Sequence, residues 1–240
     1  FESPRAGLWA PDVFHNKKGD GKFYLYYSDD TPDAAHRHAR KQIGVAVADS
    51  PLGPFKDKGA LFRDAIDAHL FQDEDGAYYL YFCNWGDRGC IAVVRMADPL
   101  TPEGQPKCLL RATEDWEKTH RSPVTEGPWM LKRKGVYYLM YSGSGTDWPE
   151  YAVGYATATS PLGPFTKYPG NPVAASGNGV IAPGHHCVAE GPDGRLWIVY
   201  HQKKTSRQAY DRFLAIDPLW FDEQGVIHTK LSRDSDQPAP

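Results

Sequence analysis

The sequence lacks several things that would have pointed elsewhere. No apolar run approaches the ~18 residues needed to cross a bilayer, so no membrane partner is expected. No stretch reads as a secretory leader. Cysteine is scarce. The four present (Cys83, Cys90, Cys108, Cys187) show no CxxC spacing and are too few for a disulfide scaffold. Positive charge is not in surplus, since 27 Lys and Arg stand against 30 Asp and Glu, a formal net charge of −3. That balance argues against a nucleic-acid partner or an anionic membrane surface, because both require a basic face. No helix of three or more turns can be read from the pattern.

Aromatic residues and turn formers are plentiful. Aromatics make up 13% of the 240 residues, with 7 Trp and 14 Tyr, beside 23 Gly and 20 Pro. This mixture points to an all-β protein. A repeat sharpens the reading. Gly21-Lys22-Phe23-Tyr24-Leu25-Tyr26-Tyr27-Ser28 is echoed at Gly76–Phe82, at Gly135–Ser142 and at Gly194–His201. The glycine-to-glycine spacings are 55, 59 and 59 residues. Each run is a strand opened by a Gly turn. A further strand follows each of them (Ile43–Ala48, Cys90–Val94, Ala152–Ala156, Phe213–Ile216). Two units close on the same phrase, Ser50–Phe55 and Ser160–Phe165. Repeats of this length with three or four short strands predict a β-propeller, with four blades visible in this chain. A β-sandwich with chance similarity is the competing architecture. No internal linker is visible, so residues 1–240 read as one domain.

Inner strands of propeller blades converge at one mouth, so polar residues at equivalent blade positions are the candidates for a pocket. Asp12, Asp67, Glu126 and His185 each stand 9 residues before their hairpin glycine. The spacing predicts that they face one another around the axis. Clustered carboxylates oppose each other's ionisation and can keep one of them protonated near neutral pH. Paired acid and base carboxyls are the apparatus of glycoside hydrolysis.

The phrases around these residues resemble glycoside hydrolase family 43, a family of five-bladed β-propellers that includes α-L-arabinofuranosidases, β-xylosidases and endo-arabinanases. Its marks are Trp9-Ala10-Pro11-Asp12, Ile66-Asp67-Ala68-His69-Leu70-Phe71, Glu126-Gly127-Pro128, Gly184-His185-His186 and Arg212–Leu219. The resemblance implies that Glu126 is the general acid and that Asp67 orients it and tunes its proton affinity. Ala68 stands where the family commonly has Pro. The resemblance also implies a general-base Asp upstream of the Trp-Ala-Pro phrase, where this chain, opening on Phe1, has no match. A family member without its first blade is therefore expected, with a second chain or chain piece as a possible partner supplying it.

The remaining pocket candidates are Trp9, Asp12, Trp85, Trp129, His185 and Arg212. Indole faces suit the C–H face of a sugar. The resemblance implies that Asp12 lines the pocket, that Arg212 reaches substrate hydroxyls, and that His185 contacts a cation or its water shell. No cofactor is required; a structural Ca²⁺ or Na⁺ in the central channel is the one candidate ion, and it would need mostly oxygen ligands. Trp148 and Tyr151 suggest a rim subsite, and His36, Arg37, His38 and Arg40 a solvated basic loop.

The sequence thus points to an inverting glycosidase acting on arabinose- or xylose-containing plant oligosaccharides or polysaccharides, with α-L-arabinofuranosidase ahead. The alternatives are a β-xylosidase of the same family and a noncatalytic carbohydrate-binding propeller, the latter because the base is absent. Such a substrate suggests a secreted or periplasmic protein rather than a cytoplasmic one.

Overall fold

The structure, a computed structural model, describes residues 7–31, 40–119, 123–206 and 211–237. The basic run His36, Arg37 and His38 lies outside them. Each of the four repeats forms one four-stranded antiparallel sheet. The first holds β1 (Leu8–His15), β2 (Phe23–Thr31), β3 (Arg40–Ala48) and β4 (Lys56–Arg63) in that order. The second holds β5 (Ala65–Gln72), β6 (Tyr78–Asn84), β7 (Cys90–Asp98) and β8 (Thr101–Leu110). The third holds β9 (Thr125–Arg133), β10 (Val136–Gly143), β11 (Ala152–Ala158) and the short β12 (Thr166–Lys167). The fourth holds β13 (Gly184–Glu190), β14 (Leu196–Lys203), β15 (Arg212–Phe221) and β16 (Ile227–Thr229). Helix among the described residues is short and 3₁₀ in type, as in the turns Trp85–Asp87 and Asp115–Glu117. No helix there is long and apolar enough to cross a membrane.

The hairpin glycines do what the repeat requires. Gly21, Gly76, Gly135 and Gly194 all take positive φ, 72° to 89°, which a Cβ would disfavour. The twin closing phrases also fold alike. The Gly53 and Gly163 N–H groups donate to the Ser50 and Ser160 carbonyls at 3.0 Å.

Contacts group the chain into two compact units. The first is Phe1–Arg111 together with Glu126–Pro128, and the second is Ala112–Thr125 together with Trp129–Pro240. In the first, Tyr26, Ile43, Val45, Leu80, Phe82 and Ala92 form one buried apolar cluster. In the second, Tyr138, Met140, Val153, Ile198, Tyr200 and Leu219 do the same. The tyrosines of the central strands bury their rings while the hydroxyls find acceptors. Tyr26 donates to the Pro99 carbonyl at 2.6 Å, and Tyr200 to Asp217 Oδ2 at 2.6 Å. A buried phenol left unpaired would cost roughly 1–3 kcal/mol, so these acceptors are part of why Tyr suits such strands.

Candidate active site

Asp12, Asp67, Glu126 and His185 all lie on the first strand of a sheet, β1, β5, β9 and β13. Their register differs from the one that counting back from the hairpin glycine implies. A bulge interrupts three of these strands, between Trp9 and Asp12, between Ile66 and His69, and between Gly184 and Cys187. The residue just after each bulge begins takes positive φ: Ala10 at 48°, Asp67 at 61° and His185 at 47°. Gly127 on β9 does the same at 55°. Asp67 and His185 are therefore equivalent, Ala10 takes that place on β1, and Asp12 lies two residues further on. Glu126 directly precedes the left-handed residue of its strand. Bulges of this kind re-aim side chains and concentrate at functional sites.

The backbone at these positions is held from the neighbouring strand pair. Asp67 N–H donates to Ser28 Oγ at 2.9 Å, and His185 N–H donates to Ser142 Oγ at 2.9 Å. Gly127 N–H donates instead to the carboxylate of Asp67, at 3.1 Å to Oδ2. Gly184 is required as glycine because a Cβ there would stand 2.1 Å from the Tyr151 ring.

In the first unit Asp67 and Glu126 come together. Both are buried, at 4% and 8% exposure, and a carboxylate oxygen of each lies within 4.8 Å of the other. The neighbouring Cys83 thiol registers them. Burial first, then the charges of Asp67 and Glu126, hold its pKa well above the ordinary thiol value. Two carboxylates this close cannot both ionise without cost, so the pair retains a proton more readily than either alone.

Asp12 joins two first strands instead. Its Oδ2 lies 3.2 Å from His69 Nδ1 and accepts the Leu70 N–H at 3.3 Å, which ties β1 to β5. Trp9 and Trp85 are joined by a residue that sequence reasoning missed. The Lys41 ammonium sits 5.0 Å from the Trp9 ring centre and 5.1 Å from that of Trp85. Trp85, on its 3₁₀ turn, stays 45% exposed. Trp85 follows Cys83 by two residues, and Cys83 lies across from Ile66, the residue before Asp67, so the indole pair and the carboxylates share one neighbourhood. Nothing in the Arg40-Lys41-Gln42 sequence marks Lys41, because its partners come from distant segments. Ser28 and Ser142 did carry a signal, the Ser that recurs after the tyrosines of the first and third repeats.

The second unit holds the other candidates. His185 is half-buried on β13, and Arg212 opens β15 as an exposed residue. Asp211 pairs with Lys204 at 2.9 Å. His201, on β14, faces several of these groups. Burial first, then the positive fields of Arg212, His185 and Lys203, push its pKa down to about 3. Trp129 packs against the core of this unit. Tyr151 is fully buried and stacks on His201 at 5.6 Å. The rim expected from Trp148 and Tyr151 is thus reduced to Trp148, which is 38% exposed.

Residues 1–227 match the profile of glycosyl hydrolases family 43. The β-D-galactofuranosidase xynD of Aspergillus niger is 33% identical over 245 residues, which cover 94% of this chain and 65% of that protein. A xylosidase/arabinosidase of Bacteroides ovatus is 30% identical, covering 96% of this chain and 76% of that one. The chain therefore spans about two thirds to three quarters of the length of these relatives. A solved structure of a thermostable family-43 glycoside hydrolase superposes with a TM-score of 0.86 at 36% identity, over 97% of this chain and 78% of that one. The all-β propeller fold expected from the repeats is the fold found.

Proposed function

The chain belongs to glycosyl hydrolases family 43, and from that premise we propose that it is a glycosidase of arabinose- or xylose-bearing oligosaccharides, acting as an α-L-arabinofuranosidase with inversion. The observation that carries this reading is the buried Asp67–Glu126 pair, with carboxylate oxygens within 4.8 Å. The choice of a furanoside draws on the relatives' names, since one is a galactofuranosidase and another a xylosidase/arabinosidase.

In this proposal Glu126 holds the proton. It passes that proton to the glycosidic oxygen as the bond to the anomeric carbon breaks, and the leaving alcohol departs neutral. Water attacks the anomeric carbon from the opposite face and gives up its own proton to a base. That water needs ~6.5–9.5 Å between acid and base carboxyls. Asp67 lies too close to Glu126 for that role, so it is assigned as the positioning residue, and no residue of this chain is assigned as the base. Asp67 holds the Gly127 N–H next to Glu126 and opposes ionisation of the acid by its charge. Trp9 and Trp85 would offer indole faces to the sugar, with Lys41 between them. Hydrolysis of this kind needs no cofactor. A Ca²⁺ or Na⁺ beside His185 would take one nitrogen from it and depend on oxygens for the rest.

The test is the Glu126→Gln variant on two substrates. An aryl arabinofuranoside has a leaving group that needs little protonation, so part of its hydrolysis should survive. Cleavage of a natural arabinoside should fall by ~10²-fold or more. Equal retention on both would sink the general-acid assignment, and faster wild-type turnover of aryl xyloside than of aryl arabinofuranoside would move the specificity to xylosides.

A further inference from the structure

The first unit carries a second cluster of ligating side chains that hydrolysis does not use. The thiols of Cys90 and Cys108 and a carboxylate oxygen of Asp87 all lie within 4.8 Å of one another. They come from three places. Cys90 opens β7, Cys108 lies on β8, and Asp87 ends the 3₁₀ turn that begins at Trp85. Asn84 fixes that turn, because its Oδ1 accepts the Asp87 N–H at 3.2 Å. Arg88 then takes positive φ, 56°, and the chain reverses, so that Asp87 Oδ2 stands 3.6 Å from Cys90 Sγ.

The ladder puts both thiols on one face. Ile91 is opposite Leu110 and Ala92 is opposite Cys108, so β8 carries one extra residue, Leu109, between them. Cys90 and Ala92 share a face by the two-residue period of a strand, and Cys108 stands on that face across the ladder. Both cysteines belong to the apolar cluster of the first unit. Cys90 is fully buried and Cys108 half-buried, and both are free thiols. The Asp87 side chain keeps 46% of its exposure. The cluster is therefore dry at its sulfurs and open at its carboxylate, which gives an ion a way in.

The spacing suits a metal. In a tetrahedral site, Zn–S bonds of ~2.3 Å and a Zn–O bond of ~2.0 Å set sulfur and oxygen ~3.5 Å apart and two sulfurs ~3.8 Å apart. The separation between Cys90 Sγ and Asp87 Oδ2 is 3.6 Å. The charges suit one as well. Two thiolates and a carboxylate around a divalent ion sum to −1, and Arg111 compensates. Its Nη2 donates to Asp87 Oδ2 at 2.7 Å and its Nη1 to the Asp87 carbonyl at 3.0 Å. Contacts of this kind orient a ligating side chain. Two sulfurs select a soft or borderline ion over Ca²⁺ or Mg²⁺.

We propose that Asp87, Cys90 and Cys108 form a binding site for a thiophilic divalent cation such as Zn²⁺, with water in the fourth position. The ion replaces the two thiol protons, which pass to solvent. Once bound, it pins the turn that carries Trp85 to β7 and β8. The site itself stands apart from the glycosidase reading, and only its consequence for Trp85 rests on that reading.

The experiment is titration of the reduced full chain with Co²⁺, read by the thiolate-to-cobalt charge-transfer absorption, and then displacement by Zn²⁺. One equivalent of Co²⁺ should bind, and one equivalent of Zn²⁺ should bleach the band. Loss of even a supporting contact costs a metal site about 10–100-fold, so Cys108→Ser and Asp87→Ala should each weaken Zn²⁺ binding by about 100-fold or more. Asp87 is at the surface, so its variant tests the site without disturbing the core, and Cys187→Ser should bind as the wild type does. A wild type without the band, or an undiminished band in Cys108→Ser and Asp87→Ala, overturns the proposal. So does a thiol count on the unreduced protein that finds Cys90 and Cys108 joined as a disulfide. Zn²⁺ should also lower KM for the aryl glycoside several-fold at constant kcat, and an unmoved KM overturns the pinning of Trp85. A chain that binds cobalt but turns over no glycoside would sink the glycosidase reading and leave the metal site standing.

Discussion

Replacing Asp67 separates two tasks that one side chain performs. Its Oδ2 accepts the Gly127 N–H at 3.1 Å in a buried setting, and its backbone sits at φ 61°. Its charge lies within 4.8 Å of Glu126. Asp67→Ala removes all of this. An orphaned buried N–H costs roughly 1–3 kcal/mol. Alanine in the left-handed region adds about 1 kcal/mol, because it lacks the local hydrogen bonding that lets Asp and Asn visit it. The sum is about 2–4 kcal/mol. For a chain of this length an unfolding entropy of ~2.1 cal/mol/K per residue makes 1 kcal/mol worth about 2 °C, so Tm should lie about 4–8 °C below that of a variant that loses the same charge but keeps the acceptor.

Asp67→Asn behaves differently. Its amide oxygen still accepts from Gly127, and Asn tolerates positive φ. It also relieves a like-charge repulsion that reaches about 3.5 kcal/mol when both groups are ionised, taking 332/(20 × 4.8) at an effective dielectric of 20. Its Tm should lie within about 2 °C of the wild type or above it. Turnover should nevertheless fall by about 10–100-fold, and the alkaline limb of the pH profile should move to lower pH, because nothing then opposes ionisation of Glu126. The assay is thermal unfolding together with aryl-arabinofuranoside kinetics across pH. An Asn variant that melts as early as the Ala variant would refute the acceptor argument. One that keeps full activity with an unmoved profile would refute the electrostatic one.

Three further predictions come from other parts of the chain. Glu117 is fully buried and accepts from Tyr141 Oη, Lys167 Nζ, Thr113 N and Glu114 N at 2.6–2.8 Å. Glu117→Ala should cost about 3–5 kcal/mol, or about 6–10 °C in Tm, and a loss under 2 °C would overturn that reading. His201 is held neutral down to about pH 3, so between pH 6.5 and 3 the unfolded chain binds one more proton there than the folded one. Stability should therefore drop by about 1.4 kcal/mol per pH unit through that window on this account, and His201→Gln should flatten the slope by that amount in urea titrations. Identical slopes would count against it. Lys41→Ala should raise KM several-fold with kcat within about twofold, and Lys41→Arg should restore it, because two cation–π contacts of ~0.5–1 kcal/mol each order the indole pair; an unchanged KM would remove Lys41 from the site.

Much of the fold was legible because the information is local. A Gly turn followed by a tyrosine-rich strand carries its own geometry, and four copies made the sheets readable one by one. The carboxylate pair was legible through its phrases. The register was not. The β1–β2 connection is longer, with His15 opposite Phe23, whereas Gln72 lies opposite Tyr78. Two extra residues in that turn shift any count made from the glycine, which is why Asp12 aligned with Asp67 on paper and Ala10 does so in the fold. Burial was equally hidden for Trp129 and Tyr151, since a lone aromatic in a loop or strand carries no sign of which side it faces. Lys41 was out of reach because two indoles far away in sequence give it meaning.

The departure that matters most is at one position of the repeat. Ser28 and Ser142 each present a hydroxyl to the left-handed residue of the following sheet. The corresponding place in the second repeat, aligned on its hairpin glycine, is Cys83, across from Ile66 on β5. A buried thiol is a weak acceptor, and Gly127 N–H goes to the Asp67 carboxylate instead. The hydroxyl that would otherwise have tied down the strand bearing Glu126 is missing, and that draws a carboxylate to within reach of another. The two acids are brought together by a break in the repeat, at β9, where the serine contact made at β5 and β13 is replaced by the Asp67 carboxylate.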